Sequence, residues 1–141
     1  MNKKQSDVYF NTRDELTKVC IDDVMYVVSD GNYITLYFKS GRSVELLATL
    51  QNFIQAVEHM DYHCFERIGK RHVVNVAYVS QINSLRKMVV LVDDDANERV
   101  ELAVSKEAIR SLKAVMMSPP KNVIPDFKTA NGNMEAFHYL K

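Results

Sequence analysis

The strongest constraint on the fold of this chain is a pair of apolar runs joined by four turn-forming residues. The runs at residues 24–28 and 33–38 are rich in β-branched and aromatic side chains, which are typical of strands. Between them, Asp30 and Gly31 form a dipeptide that strongly favours a hairpin turn, because glycine adopts a positive φ at no steric cost. The sequence therefore predicts an antiparallel hairpin. The side chains that share its expected core face are Ile34, Leu36 and Phe38.

Shorter runs of the same kind predict further strands along the chain, whereas two segments carry apolar side chains at helical spacing. The further strands are expected at residues 8–10, 16–21, 43–47, 79–83, 88–92 and 98–103, and a polar turn at 93–97. The first helical stripe is Leu50, Phe53, Ile54, Val57 and Met60, with Thr49 as N-cap. The second is Ala108, Ile109, Leu112, Val115 and Met116, with Ser105 as N-cap. The predicted fold is mainly β with two helices, an α+β protein built on antiparallel sheets.

Composition excludes several classes of protein. A chain of 141 residues with 47% hydrophobic and 26% charged residues is long enough for one domain with a real core. No apolar run reaches the length of a membrane span, and no apolar stretch follows the N-terminus as in a secretory signal. The two cysteines form no recognised pattern. We therefore expect a cytoplasmic protein with no membrane partner.

The sequence has no recognisable catalytic or cofactor-binding motif. The glycines are scattered and match neither a dinucleotide-binding nor a P-loop spacing. No Ser-His-Asp or Cys-His arrangement is supported, so we expect no enzyme and no cofactor. One alternative is a small metal-dependent enzyme that uses His59, His63 and Cys64, since histidines at i and i+4 share a helix face. The helix is expected to end at residue 61, and no second cluster supplies the remaining ligands, so we predict no metal site.

A basic cluster stands out in a chain whose net charge is zero. Between residues 62 and 88, five cations accompany a single acidic residue, Glu66, so this segment carries +4 and the rest of the chain −4. The cations are Arg67, Lys70, Arg71, Arg86 and Lys87. Apolar runs on either side of Gly69 predict two buried strands joined by an exposed basic loop, because unpaired cations are rarely buried. Such a patch attracts an anionic partner, although charge alone fits an ordinary solvated surface equally well.

Several short motifs occur in a set order, and together they resemble the LytTR-type DNA-binding domain of bacterial response regulators. They are Ile-Asp-Asp-Val-Met-Tyr at 21–26, Gly-Asn-Tyr at 31–33, Leu-x-x-Phe at 50–53, Phe-Glu-Arg-Ile-Gly-Lys-Arg-His-Val-Val-Asn at 65–75, Tyr-Val at 78–79 and Val-Ser-Lys at 104–106. The resemblance covers roughly residues 15–116. It implies three regions: an N-terminal segment (1–14), a DNA-binding domain (15–117) and a C-terminal tail (118–141).

This resemblance implies an elongated fold of antiparallel sheets that inserts loops into successive major grooves of double-stranded DNA. Family members commonly bind paired promoter repeats as dimers, so a homodimer is expected. The implied contacts are the hairpin tip, the basic loop and the start of the last helix. With the neighbouring cations of the basic segment, the candidate DNA-binding residues are Asn32, Tyr33, Arg67, Lys70, Arg71, His72 and Lys106. Asn75 is instead expected to hold a turn by hydrogen bonds.

Two departures from the family pattern leave alternatives open. Many members have a small polar residue where Arg71 stands, so either Lys70 or Arg71 is the base-contacting cation. Fewer than 20 residues precede the region of resemblance, so we expect no receiver domain. Together with the zero net charge, that leaves a second function open: a module that does not bind DNA but pairs with another LytTR-type regulator and modulates it.

Overall fold

Ten strands form three antiparallel sheets in the computed structural model, which describes residues 7–95 and 97–118. The strands are β1 (Asp7–Asn11), β2 (Leu16–Cys20), β3 (Val24–Asp30), β4 (Tyr33–Phe38), β5 (Ser43–Leu46), β6 (Phe65–Ile68), β7 (His72–Asn75), β8 (Val79–Asn83), β9 (Met88–Asp93) and β10 (Glu98–Ala103). The helices are α1 (Leu50–His59) and α2 (Lys106–Met117). The predicted mainly β fold with two helices is therefore confirmed. Except for Ser118, the predicted tail (118–141) lies outside the described residues, as do residues 1–6.

The five-stranded sheet, in the order β5-β4-β3-β7-β6, lies between two hydrophobic cores. Val27 and Val73 face the first core, which also contains side chains of β1, β2 and α1. Met25 and Val74 face the second core, which contains side chains of β9, β10 and α2. Because successive side chains point to opposite faces, the central strands β3 and β7 are buried on both faces.

Local sequence signals account for the ends of most elements. The β3–β4 hairpin pairs Asp30 with Tyr33, and its first turn residue, Gly31, has a φ of +66°. The first helix begins with a capping box, in which Thr49 and Asn52 each accept the other's backbone N–H at 3.0 Å. The Oγ atom of Ser105 accepts the backbone N–H of Ala108 at 3.0 Å. The predicted hairpin and both predicted N-caps are thus confirmed.

Three predictions about burial are wrong. Met60 is 39% exposed because α1 ends at His59 and Met60 is its C-cap. Val115 is 38% exposed because it lies at the margin of the apolar stripe of α2. Asp93 belongs to β9 rather than to the polar turn, and it is buried with no hydrogen-bond partner for Oδ2 among the described residues. The turn itself begins at Asp94, whose carbonyl accepts the N–H of Asn97 at 3.3 Å.

Two polar side chains join the segments between the cores. Asn75 is buried at the end of β7, where its Nδ2 donates to the carbonyl of Val24 at 2.9 Å and its Oδ1 accepts the N–H of Ala77 at 3.0 Å. The predicted structural role of Asn75 is therefore confirmed. Tyr78 donates its hydroxyl to the carbonyl of Asp22 at 2.7 Å, and burial, together with nearby carboxylates, raises the pKa of Tyr78 to about 12. The bonds from Asn75 to Val24 and from Tyr78 to Asp22 therefore link distant parts of the chain.

Candidate nucleic-acid interface

The basic loop is a three-residue connection between two strands of the central sheet. Strands β6 and β7 pair antiparallel up to Ile68 and His72, so Gly69, Lys70 and Arg71 form the turn. Ile68 is buried before the turn, and Val73 follows soon after it. With both ends fixed in this way, the side chains of Lys70 and Arg71 are exposed.

The tip of the β3–β4 hairpin lies beside the basic loop. Strand β3 pairs with β7 so that Val28 is opposite His72, which extends the contact up to the loop. There the N–H of Ser29 donates to the carbonyl of Arg71 at 2.9 Å, and the Arg71 guanidinium donates to the carbonyl of Ser29 at 3.4 Å. Asn32 at the tip is exposed, and Tyr33 is 42% exposed. The pairing of β3 with β7 therefore brings two of the predicted contact points together.

The start of α2 packs directly against the same loop. A Cβ atom added to Gly69 would lie 3.3 Å from the Oγ of Ser105 and 3.4 Å from the Cβ of Ala108, so only glycine fits comfortably. An open cavity of about 460 Å³ lies between the loop and the helix start. Lys106, the first residue of α2, is exposed. The third predicted contact point therefore adjoins the loop, and Gly69 is the residue that permits this close approach.

Replacing Gly69 with alanine is expected to destabilise the fold by roughly 1–2 kcal/mol, because the φ of +63° is strained for alanine and the new methyl group meets α2. Urea unfolding measures the change. Gly31→Ala is the matched control, since Gly31 has a φ of +66° with no atom within 4 Å of an added Cβ. The backbone strain is then common to both variants. The additional decrease in the free energy of unfolding of Gly69→Ala measures the effect of the contact with the helix. Equal losses would show that this contact is unimportant.

The cations of this surface differ in their surroundings. Arg67 donates to the carbonyl of Lys70 at 3.3 Å, a long bond that leaves most of its guanidinium donors to solvent. Lys70 and Lys106 have no ion-pair partner within 4.0 Å among the described residues. His72 is half-buried, and its pKa is lowered by burial and by the charge of Arg71. At neutral pH, His72 therefore offers a hydrogen bond to a ligand rather than a charge.

Sequence reasoning did not include Arg110, which lies on the same surface. Together with Arg67 and Lys70, it lines an open groove on α2 that continues from the basic loop. The signal that could have identified it is its spacing, since Arg110 follows Lys106 by four residues and neighbours it on the helix.

A metal site finds no support in the described part of the chain. Over residues 7–95 and 97–118, no three His, Cys, Asp or Glu side chains are arranged to hold a metal ion. His63 lies 2.8 Å from the carboxylate of Asp61, in the segment that follows α1. In the same residues, no helix is both long and apolar enough to cross a membrane.

Comparison with known proteins identifies one family. A family model described as the LytTr DNA-binding domain matches residues 14–117. Among solved structures, a LytTr DNA-binding domain from Bacillus cereus superposes with a TM-score of 0.55 at 22% identity, covering 79% of this chain and 97% of that one. No protein of curated function matches the sequence. The structural likeness concerns the fold, and the family model covers every described element except β1.

Proposed function

Because the chain belongs to the LytTr DNA-binding domain family, we propose that it is a sequence-specific transcriptional regulator whose loops enter the major groove. The observation that carries this proposal is the contact of the basic loop with both the hairpin tip and the start of α2. Three segments that are distant in the sequence thus present exposed polar and cationic side chains around one short loop. The family consists of DNA-binding domains rather than enzymes, and the proposal requires no catalytic step or cofactor.

In the proposed complex, side chains of the loop and the tip contact base edges. Lysine and arginine donate to the O6 and N7 atoms of guanine, and asparagine pairs with adenine. We assign base contact to Lys70 and, at the tip, to Asn32 with Tyr33 beside it. Arg71 donates to Ser29, so its role is to hold the loop against the hairpin and to contact the DNA backbone. His72 lies beneath the loop as a neutral hydrogen-bonding group.

Phosphate contacts are proposed for Arg67 and for the start of α2. Lys106 follows the N-cap of a helix whose first backbone N–H groups and positive dipole end attract anions. These contacts set the position and orientation of the protein on the duplex, whereas the loops supply the sequence preference.

The affinity for DNA is expected to fall steeply with salt. With about four to six phosphate contacts, the logarithm of the binding constant should decrease against the logarithm of salt concentration with a slope of about −4 to −5, because binding releases condensed counterions. Fluorescence anisotropy at salt concentrations between about 50 and 200 mM measures this slope. A flat response would exclude a phosphate-dominated interface.

Selection of bound sites from a random pool of double-stranded DNA tests the proposal most directly. We expect paired short repeats, with one protomer on each repeat, and their spacing gives the geometry of a homodimer. Recovery of no preferred sequence would contradict sequence-specific binding.

The alternative function, a module that pairs with another LytTR-type regulator without touching DNA, makes a different prediction. Such a module would form a stable complex with that regulator in size-exclusion chromatography with light scattering, and it would retain no selected DNA. We favour the DNA-binding function because the exposed cations gather at the loop. As a regulator of promoters, the protein is proposed to act in the bacterial cytoplasm.

We propose that residues 15–117 form the DNA-binding unit and that residues 1–14 and 118–141 flank it. The N-terminal flank contributes β1, whose Phe10 stacks on Phe53 with ring centroids 5.7 Å apart. We therefore assign β1 a supporting role in the first core, remote in sequence from the contact loops.

A further inference from the structure

A second groove runs beside the basic loop, and its cations come from two separate parts of the sequence, the β6–loop segment and α2. It has a volume of about 500 Å³ and is lined by Arg67, Gly69, Lys70, Glu107, Arg110 and Ser111. Arg67 lies on β6, an edge strand of the central sheet, whereas Lys70 belongs to the loop and Arg110 to α2. The packing of α2 against the loop thus places Arg110 in one groove with Arg67 and Lys70, which are distant from it in the sequence.

The orientation of α2 directs Arg110 into this groove. Ile109 and Leu112 are buried against the second core, which turns Arg110 toward solvent. Across the groove, Arg67 donates to the carbonyl of Lys70 at 3.3 Å, which holds its guanidinium close to the loop. Two guanidinium groups therefore line a concave, solvent-open surface together with the ammonium group of Lys70.

The charges of the groove are not neutralised from within the protein. Glu107 is the one carboxylate among the lining residues. Among the described residues, it forms no ion pair within 4.0 Å with any of the three cations. The groove therefore carries three positive charges and one negative charge without internal pairing, which favours an anionic ligand.

We infer that this groove is a further phosphate site, in which Arg110 and Arg67 hold a phosphodiester of the same DNA whose bases the loop contacts. The inference rests on the proposed DNA-binding function and adds Arg110 to the phosphate contacts already proposed for Arg67 and for the start of α2. Guanidinium suits the role because it is weakly hydrated and donates two parallel hydrogen bonds to phosphate oxygens. Lys70 borders both this groove and the cavity at the helix start, so the two sites are continuous.

Arg110→Ala is the test variant. It should make the salt slope of DNA binding less negative by about 1 and weaken binding by about 5- to 10-fold, equally for the selected site and for a scrambled duplex, because a phosphate contact carries no sequence information. Lys113→Ala is the matched control on the same helix. The Nζ of Lys113 lies 3.5 Å from the Oγ of Ser84, and Lys113 does not line the groove, so its removal should leave the slope unchanged.

Glu107→Gln provides a second test of opposite sign. Removal of the single carboxylate should strengthen binding by about 2- to 5-fold on both duplexes, since it repels the incoming phosphate. Glu107, Arg110 and Lys113 are all exposed, so thermal unfolding should show the three variants folded.

Lys70→Ala separates failure of this inference from failure of the proposed function. If Lys70→Ala abolishes preference for the selected site while Arg110→Ala behaves like Lys113→Ala, the groove is not a phosphate site and the DNA-binding function stands. If the unmodified protein binds no duplex in the same titrations, the proposed function is wrong, and the phosphate site with it.

Discussion

Replacing Lys70 and Arg71 together with alanine is expected to lower the affinity for the selected DNA site by about 100-fold, because one lost base contact alone is worth roughly 1–3 kcal/mol. Both side chains are exposed on a short loop, neither forms an ion pair within 4.0 Å among the described residues, and the hydrogen bond from Arg71 to Ser29 is long, at 3.4 Å. Their removal should therefore change DNA binding far more than stability. Gel-shift titrations on the selected and scrambled duplexes measure the loss and show whether sequence preference disappears with it.

The matched control removes two cations from the opposite end of the same sheet. Lys39 and Arg42 follow β4, whose other end forms the hairpin tip, so their distance from the basic loop is about the length of the strand. Lys39→Ala with Arg42→Ala lowers the charge by the same amount and should leave specific affinity within about 2-fold, since exposed charges farther apart than a Debye length are screened. A similar loss of DNA affinity in the two double variants would mean that overall charge, and not the basic loop, determines binding.

Replacing Asn75 with alanine is expected to destabilise the protein by about 2–4 kcal/mol, because two backbone groups would each lose their hydrogen bond to this buried side chain. The carbonyl of Val24 would lose its 2.9 Å bond from Nδ2, and the N–H of Ala77 would lose its 3.0 Å bond to Oδ1. Urea unfolding followed by circular dichroism gives the change from the midpoint at constant m-value.

Asn83→Ala is the control, since Asn83 also accepts a turn N–H, that of Arg86 at 2.9 Å, but its side chain is only half-buried and the bond is exposed to solvent. Its expected loss is about 0.5–1 kcal/mol. Asn75→Asp keeps the acceptor for Ala77 and places an oxygen against the Val24 carbonyl, so it should be at least as destabilising as alanine. A small effect of both Asn75 variants would show that the two segments are held by packing alone.

The sequence predicted local structure well where one physical signal dominated. Alternation placed Ile34, Leu36 and Phe38 in the core, and the hydroxyl groups of Thr49 and Ser105 marked both helix starts. The prediction of burial failed where the surrounding structure buries a residue type that is usually exposed. The buried Asp93 is an example, because aspartate is usually exposed and no local pattern indicates otherwise.

The arrangement of the candidate interface was less predictable. The family resemblance supplied the three predicted contact segments, and the basic cluster was visible from charge alone. Gly69 packs against Ser105 and Ala108 because of the position that α2 takes on the central sheet. No local sequence pattern specifies that position. Arg110 was missed for the same reason, since the groove that it lines lies between elements far apart in the chain.

The double burial of β3 and β7 has a consequence for the shape of the bound DNA. β3 leads into the hairpin tip and β7 begins directly after the basic loop, so both proposed contact segments adjoin strands that are packed on both faces. They have little freedom to adapt when a duplex arrives, and little conformational entropy is lost on binding. Adaptation is then left to the DNA, whose bending and groove width depend on sequence even at base pairs that the protein does not touch. We therefore expect selection to favour flexible steps such as TA or CA between the contacted repeats.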